Sequence, residues 1–154
     1  MLANAAGGKR VLIATNTGGH VALAAIDAML AVALTQRGAH VATALCDGVL
    51  PACQMCEFDL TPSHAAFAAK GRDPMLCSYC FAPAERRLQD LGLAVVRLGD
   101  SLPESVRARA RELARDFSMG DFDHLAWQGV PLAEHARAGA LRYFARGDLE
   151  DESR

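Results

Sequence analysis

Two cysteine pairs, Cys53-Gln-Met-Cys56 and Cys77-Ser-Tyr-Cys80, stand twenty residues apart. A C-x2-C bracket lets two thiolates grip one tetrahedral ion from a tight turn, and a second bracket closes the coordination shell. Such a four-thiolate site is structural rather than catalytic, because no coordination position is left for a substrate. Zinc is the first expectation from the paired symmetry, and an iron–sulfur cluster, which also takes thiolates, is the second. A fifth thiol, Cys46, lies just upstream in Leu45-Cys46-Asp47-Gly48. It can take the place of Cys56 in a ligand set of Cys46, Cys53, Cys77 and Cys80, or be a small buried apolar residue. His64, between the pairs, is a weaker substitute ligand.

The elements around these cysteines read as an α/β scaffold. Residues 9–15 (KRVLIAT) are short, apolar and β-branched, as in a buried strand. A turn, Asn16-Thr17-Gly18-Gly19-His20, leads into an Ala- and Leu-rich helix over 21–37, and Gly38 stops it. Residues 40–46 form a second strand, which completes a βαβ unit. Residues 46–82 break the pattern with glycines and prolines. A long irregular loop is unusual in a compact domain unless something such as a metal replaces its missing core. Phe58, Phe67 and Phe81 are candidates to pack around that centre. Regular structure resumes with a helix starting at Pro83, a strand over 93–98, a helix over 103–117 with Ser101 as N-cap candidate, and a helix over 131–146. The arginines of the 103–117 helix do not share one face and read as a solvated surface. The expected fold is therefore α/β, a Rossmann-like parallel sheet with flanking helices. It forms a single domain over 1–154 with a cysteine-rich metal-binding insertion over 46–82.

Composition narrows the function. The chain is 51% hydrophobic and 22% charged, with a net charge of -2. A basic nucleic-acid footprint is absent. No apolar run approaches the ~20 residues of a membrane span. The start of the chain lacks a signal-peptide pattern, so a cytoplasmic location is expected, where thiols stay reduced and favour metal over disulfides.

Three further features could do chemistry. Gly18 and Gly19, between a strand and a helix start, suit either close approach of a ligand to backbone N–H groups or a tight turn with no ligand. The spacing is not the dinucleotide fingerprint G-x-G-x-x-G. His20 is a candidate general base, or simply a cap. Asp47 can bind a sugar hydroxyl or cap the turn at Gly48. Trp127, the only tryptophan, suits a core or interface role better than sugar stacking.

Asn16-Thr17-Gly18-Gly19-His20-Val21 followed by Gly38-Ala39-His40-Val41 resembles the opening of GT-B glycosyltransferases, including the peptidoglycan N-acetylglucosaminyltransferase that makes lipid II. A broader set comprises Leu45-Cys46-Asp47-Gly48, Cys53, Cys77-x-x-Cys80, and Pro131-Leu132 through Leu141-Arg142-Tyr143-Phe144. This set resembles the N-terminal part of glycosyltransferase-like proteins of bacterial surface-polysaccharide (capsule-type) biosynthesis. The resemblance implies an acceptor-side domain in which Thr17, Gly18 and Gly19 face a sugar or lipid-linked sugar and His20 is the base. It also permits the ligand set with Cys46 in place of Cys56. The donor-binding half of such an enzyme is not within these 154 residues, so a further domain or a separate subunit would supply it, or the chain is a relative that has lost transfer activity. Two other functions fit the same residues: a non-enzymatic zinc-stabilised module that binds protein, and a small redox or sulfur-handling protein using Cys46.

Overall fold

The computed structural model describes residues 8–57, 63–116 and 124–147. Its elements run β1 (Arg10–Asn16), α1 (Val21–Gln36), β2 (His40–Leu45), α2 (His64–Lys70), α3 (Pro74–Asp90), β3 (Ala94–Arg97), a 3-10 turn (Leu98–Ser101), α4 (Glu104–Asp116) and α5 (Leu132–Phe144). The three strands form one parallel sheet in the order β1-β2-β3. The chain divides into two compact units, Met1–Met55 with Lys70–Pro103, and Cys56–Ala69 with Glu104–Arg154.

The first unit holds the sheet. Val11 pairs with Val41 and Ala42 with Ala94, so β2 is the central strand. That position explains its near-continuous burial, with Val41, Thr43, Ala44 and Leu45 all buried; a parallel strand flanked on both edges needs an apolar run. α1 packs on β1 and β2, and α3 on β3. The core consists of Ile13, Ala31, Val41, Leu45, Ala84, Leu88 and Leu93. Ala84 and Leu88 fall four residues apart on α3 and so share the face that meets the sheet. Gly38, at φ +85, ends α1 in the left-handed conformation that glycine adopts without strain.

α1 is apolar all round, its one charge being Asp27. It buries small residues, Ala31 and Thr35, and leaves Val21, Ile26 and Met29 more than half exposed. Between α1 and α3 runs a cleft of about 590 Å³, lined mainly by alanines of α1 with Met29, Ala84, Leu88 and Leu91.

One helix starts earlier than the sequence suggests. Pro83 does not open a helix; it lies inside α3, whose first residue is Pro74 and whose N-cap is Asp73. The Asp73 carboxylate accepts the Met75 N–H at 2.8 Å, and a proline in the first turn loses nothing by lacking an N–H. Consequently Cys77 and Cys80 are helical, and the irregular stretch is shorter than expected, with α2 as a further helix inside it.

The second unit contains α2, α4 and α5. Tyr143 is buried, stacks on Phe67 with ring centroids 4.8 Å apart, and shares a 2.9 Å hydrogen bond with His64 Nδ1. On α4, Glu104 pairs with Arg107 and Arg111, and Glu112 with Arg109, so three of its arginines form a solvated ion-pair surface. Trp127 and Val130 make an isolated antiparallel bridge around Gln128 and Gly129, both at positive φ. Trp127 is 47% exposed and therefore is not core. Gly139 sits within α5, and a Cβ there would meet nothing within 4 Å. Gly139→Ala is expected to stabilise this helix by about 1 kcal/mol and to raise the melting midpoint by roughly 2–4 °C in a thermal scan.

Candidate functional site

Cys46, Cys53, Cys77, Cys80 and the glycine turn, among the sequence-predicted residues, lie together where β1 and β2 end. In parallel α/β sheets the carboxyl ends of the strands are where ligands bind. Asn16 closes β1 at φ +57 and accepts the Cys46 N–H at 2.8 Å, which draws the first residue after β2 beside the glycine turn. Asn16, Thr17, Cys46, Cys53, Cys77 and Cys80, together with Met55, Arg72 and two leucines, line one small cavity. Its volume is about 20 Å³, room for one water-sized occupant.

Four of the five cysteines thus surround a single small space in the first unit. Three of them are engaged with N–H donors of the protein. Gly19 N–H donates to Cys80 Sγ at 3.0 Å, Met55 N–H to Cys53 Sγ at 3.4 Å, and Arg72 Nε–H to Cys77 Sγ. Burial pushes the Cys80 thiol above its ordinary pKa; the Gly19 N–H pulls it back, and the neighbouring Cys53 and Cys77 raise it further. Among the described residues, no three His, Cys, Asp or Glu side chains already form a group that could hold a metal ion. The four thiols line the cavity without being drawn in to a common centre.

Cys56 lies in the second unit, buried, with its carbonyl accepting Arg142 Nη2 at 2.9 Å. His64 is also in that unit, bonded to Tyr143. Of the three phenylalanines expected around the cysteines, Phe67 stacks on Tyr143, and Phe81 packs against the sheet core under Arg97, 5.3 Å from its ring. Phe58 lies outside the described residues.

The glycine turn is shaped by α3. A Cβ at Gly18 would stand 2.2 Å from Ala84 Cβ and 2.8 Å from the Cys80 carbonyl oxygen. Glycine here permits close contact of the turn with the helix. Arg87 Nη2 donates to the Gly18 carbonyl at 3.3 Å. Thr17 is buried. His20 is exposed and is the N-cap of α1, its Nδ1 accepting the Leu23 N–H at 3.5 Å. With Nδ1 the acceptor, the neutral ring carries its proton on Nε2, so His20 has to release the Leu23 N–H before it can act as a base. Asp47 does not cap Gly48; its Oδ1 accepts the Gly99 N–H at 3.0 Å, tying the β2 exit to the turn after β3.

Arg72 and Asn16 are members of the site that residue-type reasoning overlooked. A signal existed for the first: Lys70 and Arg72 are the only basic residues other than histidine between the two cysteine pairs. Comparison with family models, with curated proteins and with solved structures found no match.

Proposed function

We propose that this chain is a thiolate-metal-stabilised α/β domain acting as the acceptor side of a glycosyltransferase-like protein of surface-polysaccharide biosynthesis, with donor binding supplied elsewhere. The observation that carries the metal part is that Cys46, Cys53, Cys77 and Cys80 all line one cavity of about 20 Å³. That volume suits a single ion and is small for a cuboidal cluster, so zinc is preferred to iron–sulfur. Backbone N–H bonds to Cys53 and Cys80 are of the kind that orient thiolate ligands. In this reading Cys56 is the odd cysteine, and the ion orders the loop beside the strand ends without taking part in the reaction.

The acceptor part is supported by the parallel sheet, by the exposed His20 at the α1 start, and by the cleft between α1 and α3. The cleft begins beside that turn at Thr15 and Val21 and is apolar apart from Thr15, Gln36 and Arg87. Such a lining suits the hydrocarbon part of a lipid-linked sugar better than the sugar itself. The reaction would be attack of an acceptor hydroxyl on the anomeric carbon of a donor sugar, breaking that carbon's bond to the donor's phosphate leaving group. The hydroxyl proton would pass to the His20 ring after it has given up the Leu23 N–H and so freed a nitrogen lone pair.

Titration of the isotopically labelled chain with a polyprenyl-phosphate-linked sugar tests this. Amide shifts are expected at Thr17, Gly18, Gly19, His20 and Val21 and along the α1 face of the cleft. His20→Ala is expected to leave zinc content unchanged. With a donor-binding half present, it should lower transfer by about 10²–10⁴-fold. An absence of shifts at saturating acceptor would remove the acceptor reading and leave the metal one standing.

A second reading is a non-enzymatic zinc-stabilised module that binds protein. The observation favouring it is that α3 already occupies the glycine turn, with Cys80 on the Gly19 N–H and Arg87 on the Gly18 carbonyl. It predicts no acceptor response and no transfer in any pairing.

A further inference from the structure

We propose that Arg72 is the positioning residue of the thiolate centre, holding Cys77 Sγ at the cavity and supplying a fixed positive charge beside it. The assignment rests on the metal reading above. The backbone brings the side chain there. Arg72 N–H donates to the Pro51 carbonyl at 2.9 Å. Gly71, at φ +77, has no room for a side chain, since a Cβ would lie 2.7 Å from the same carbonyl oxygen.

From that anchor the guanidinium forks. Nε donates to Cys77 Sγ and Nη2 to the Gly48 carbonyl. Gly48, at φ +97, leaves the space the fork needs: a Cβ there would stand 2.9 Å from Nη2 and 3.7 Å from Cys77 Sγ. One residue, through its backbone N–H and its guanidinium, therefore joins the Pro51 turn, the loop after β2 and the first turns of α3, three segments that must be in register before Cys46, Cys53 and Cys77 can share an ion. Among the described residues no carboxylate pairs with Arg72.

Four thiolates on a divalent ion carry a net charge of about −2. A guanidinium stays protonated at every pH at which thiolates exist. A charge-assisted bond to one sulfur offsets half of that charge and fixes the rotamer of Cys77. Lysine would keep the charge but cannot span the sulfur and the Gly48 carbonyl with a planar fork.

The test compares the full chain with its Arg72→Lys and Arg72→Gln variants. Zinc affinity is read by competition with a chromophoric chelator, and the sulfur-to-metal charge-transfer band is read with cobalt in place of zinc. Arg72→Gln is expected to lose about 10–100-fold in zinc affinity and to shift the cobalt band, with Arg72→Lys between it and the unsubstituted chain. An Arg72→Gln protein within about twofold of the unsubstituted chain overturns the assignment. So does an Arg72→Lys protein that binds no tighter than Arg72→Gln. Should Arg72→Gln fail to fold, Arg72→Lys alone decides: weakened binding supports the fork, and unchanged binding overturns it. An unsubstituted chain that holds no zinc or cobalt overturns the metal reading itself, and the Arg72 assignment with it.

Discussion

A chain in which Cys77 and Cys80 are both serine is expected to purify without zinc, whereas Cys56→Ser retains about one zinc per chain. Both serines fall on the first turns of α3, three residues apart and so on one face of the helix. Hydroxyls are poor ligands for an ion that prefers thiolates, so half of the proposed shell is lost at once. The size of the effect follows from linkage. If free zinc stands about a thousandfold above its Kd, the bound form gains about 4 kcal/mol. For a chain of this length that is roughly 8–16 °C in melting midpoint. The sheet has its own core of Ile13, Val41, Leu45, Ala84 and Leu88, so a lowered midpoint is expected rather than an unfolded chain. Elemental analysis and melting with and without chelator check this together. Loss of metal from Cys56→Ser would reassign the ligand set, and a metal-free unsubstituted chain would end the metal reading.

Gly18→Ala is expected to destabilise the first unit by about 3 kcal/mol, at the upper end of ordinary overpacking costs. The added methyl meets Ala84 Cβ at 2.2 Å and the Cys80 carbonyl oxygen at 2.8 Å. Neither obstacle is the free end of a flexible side chain, so α3 itself must shift. Shifting α3 also moves Cys77 and Cys80, and zinc affinity should fall with stability. Ala84→Gly removes the worse of the two contacts, and the double variant should recover part of the loss, with a coupling of about 1 kcal/mol or more in a double-mutant cycle. Equilibrium denaturation measures it. An unchanged stability for Gly18→Ala would restore the ligand-approach reading of this glycine, in which a methyl disturbs binding but not folding.

The regular scaffold was legible because periodicity, glycine stops and β-branched runs are local signals. The first two strands and α1 start and end within one residue of their expected bounds. α3 was misplaced because two prolines competed for one helix start. Pro83 stood before an obvious helical run, while Asp73-Pro74, the true cap and first residue, preceded a segment read through its cysteines. The cysteine set was half legible. Spacing showed that a four-thiol group was available, but the choice between Cys46 and Cys56 depends on where chain reversal brings the end of β2, which is tertiary information. Gly18 shows the same limit. A glycine that admits a ligand and one that admits a neighbouring helix look alike until the helix is in place.

α1 buries Ala31 and Thr35 and turns Val21, Ile26 and Met29 outward, so the rotation of this helix about its axis is encoded in side-chain volume rather than in polarity. Its fully buried positions are the narrow ones, matched to a close approach to β1 and β2, while Val32 and Leu34 pack partly buried against the same core. A helix of this kind inverts the usual substitution rule. Polar replacements on the broad outer side leave its seating untouched, while a single added methylene on the narrow side competes directly with the sheet for space.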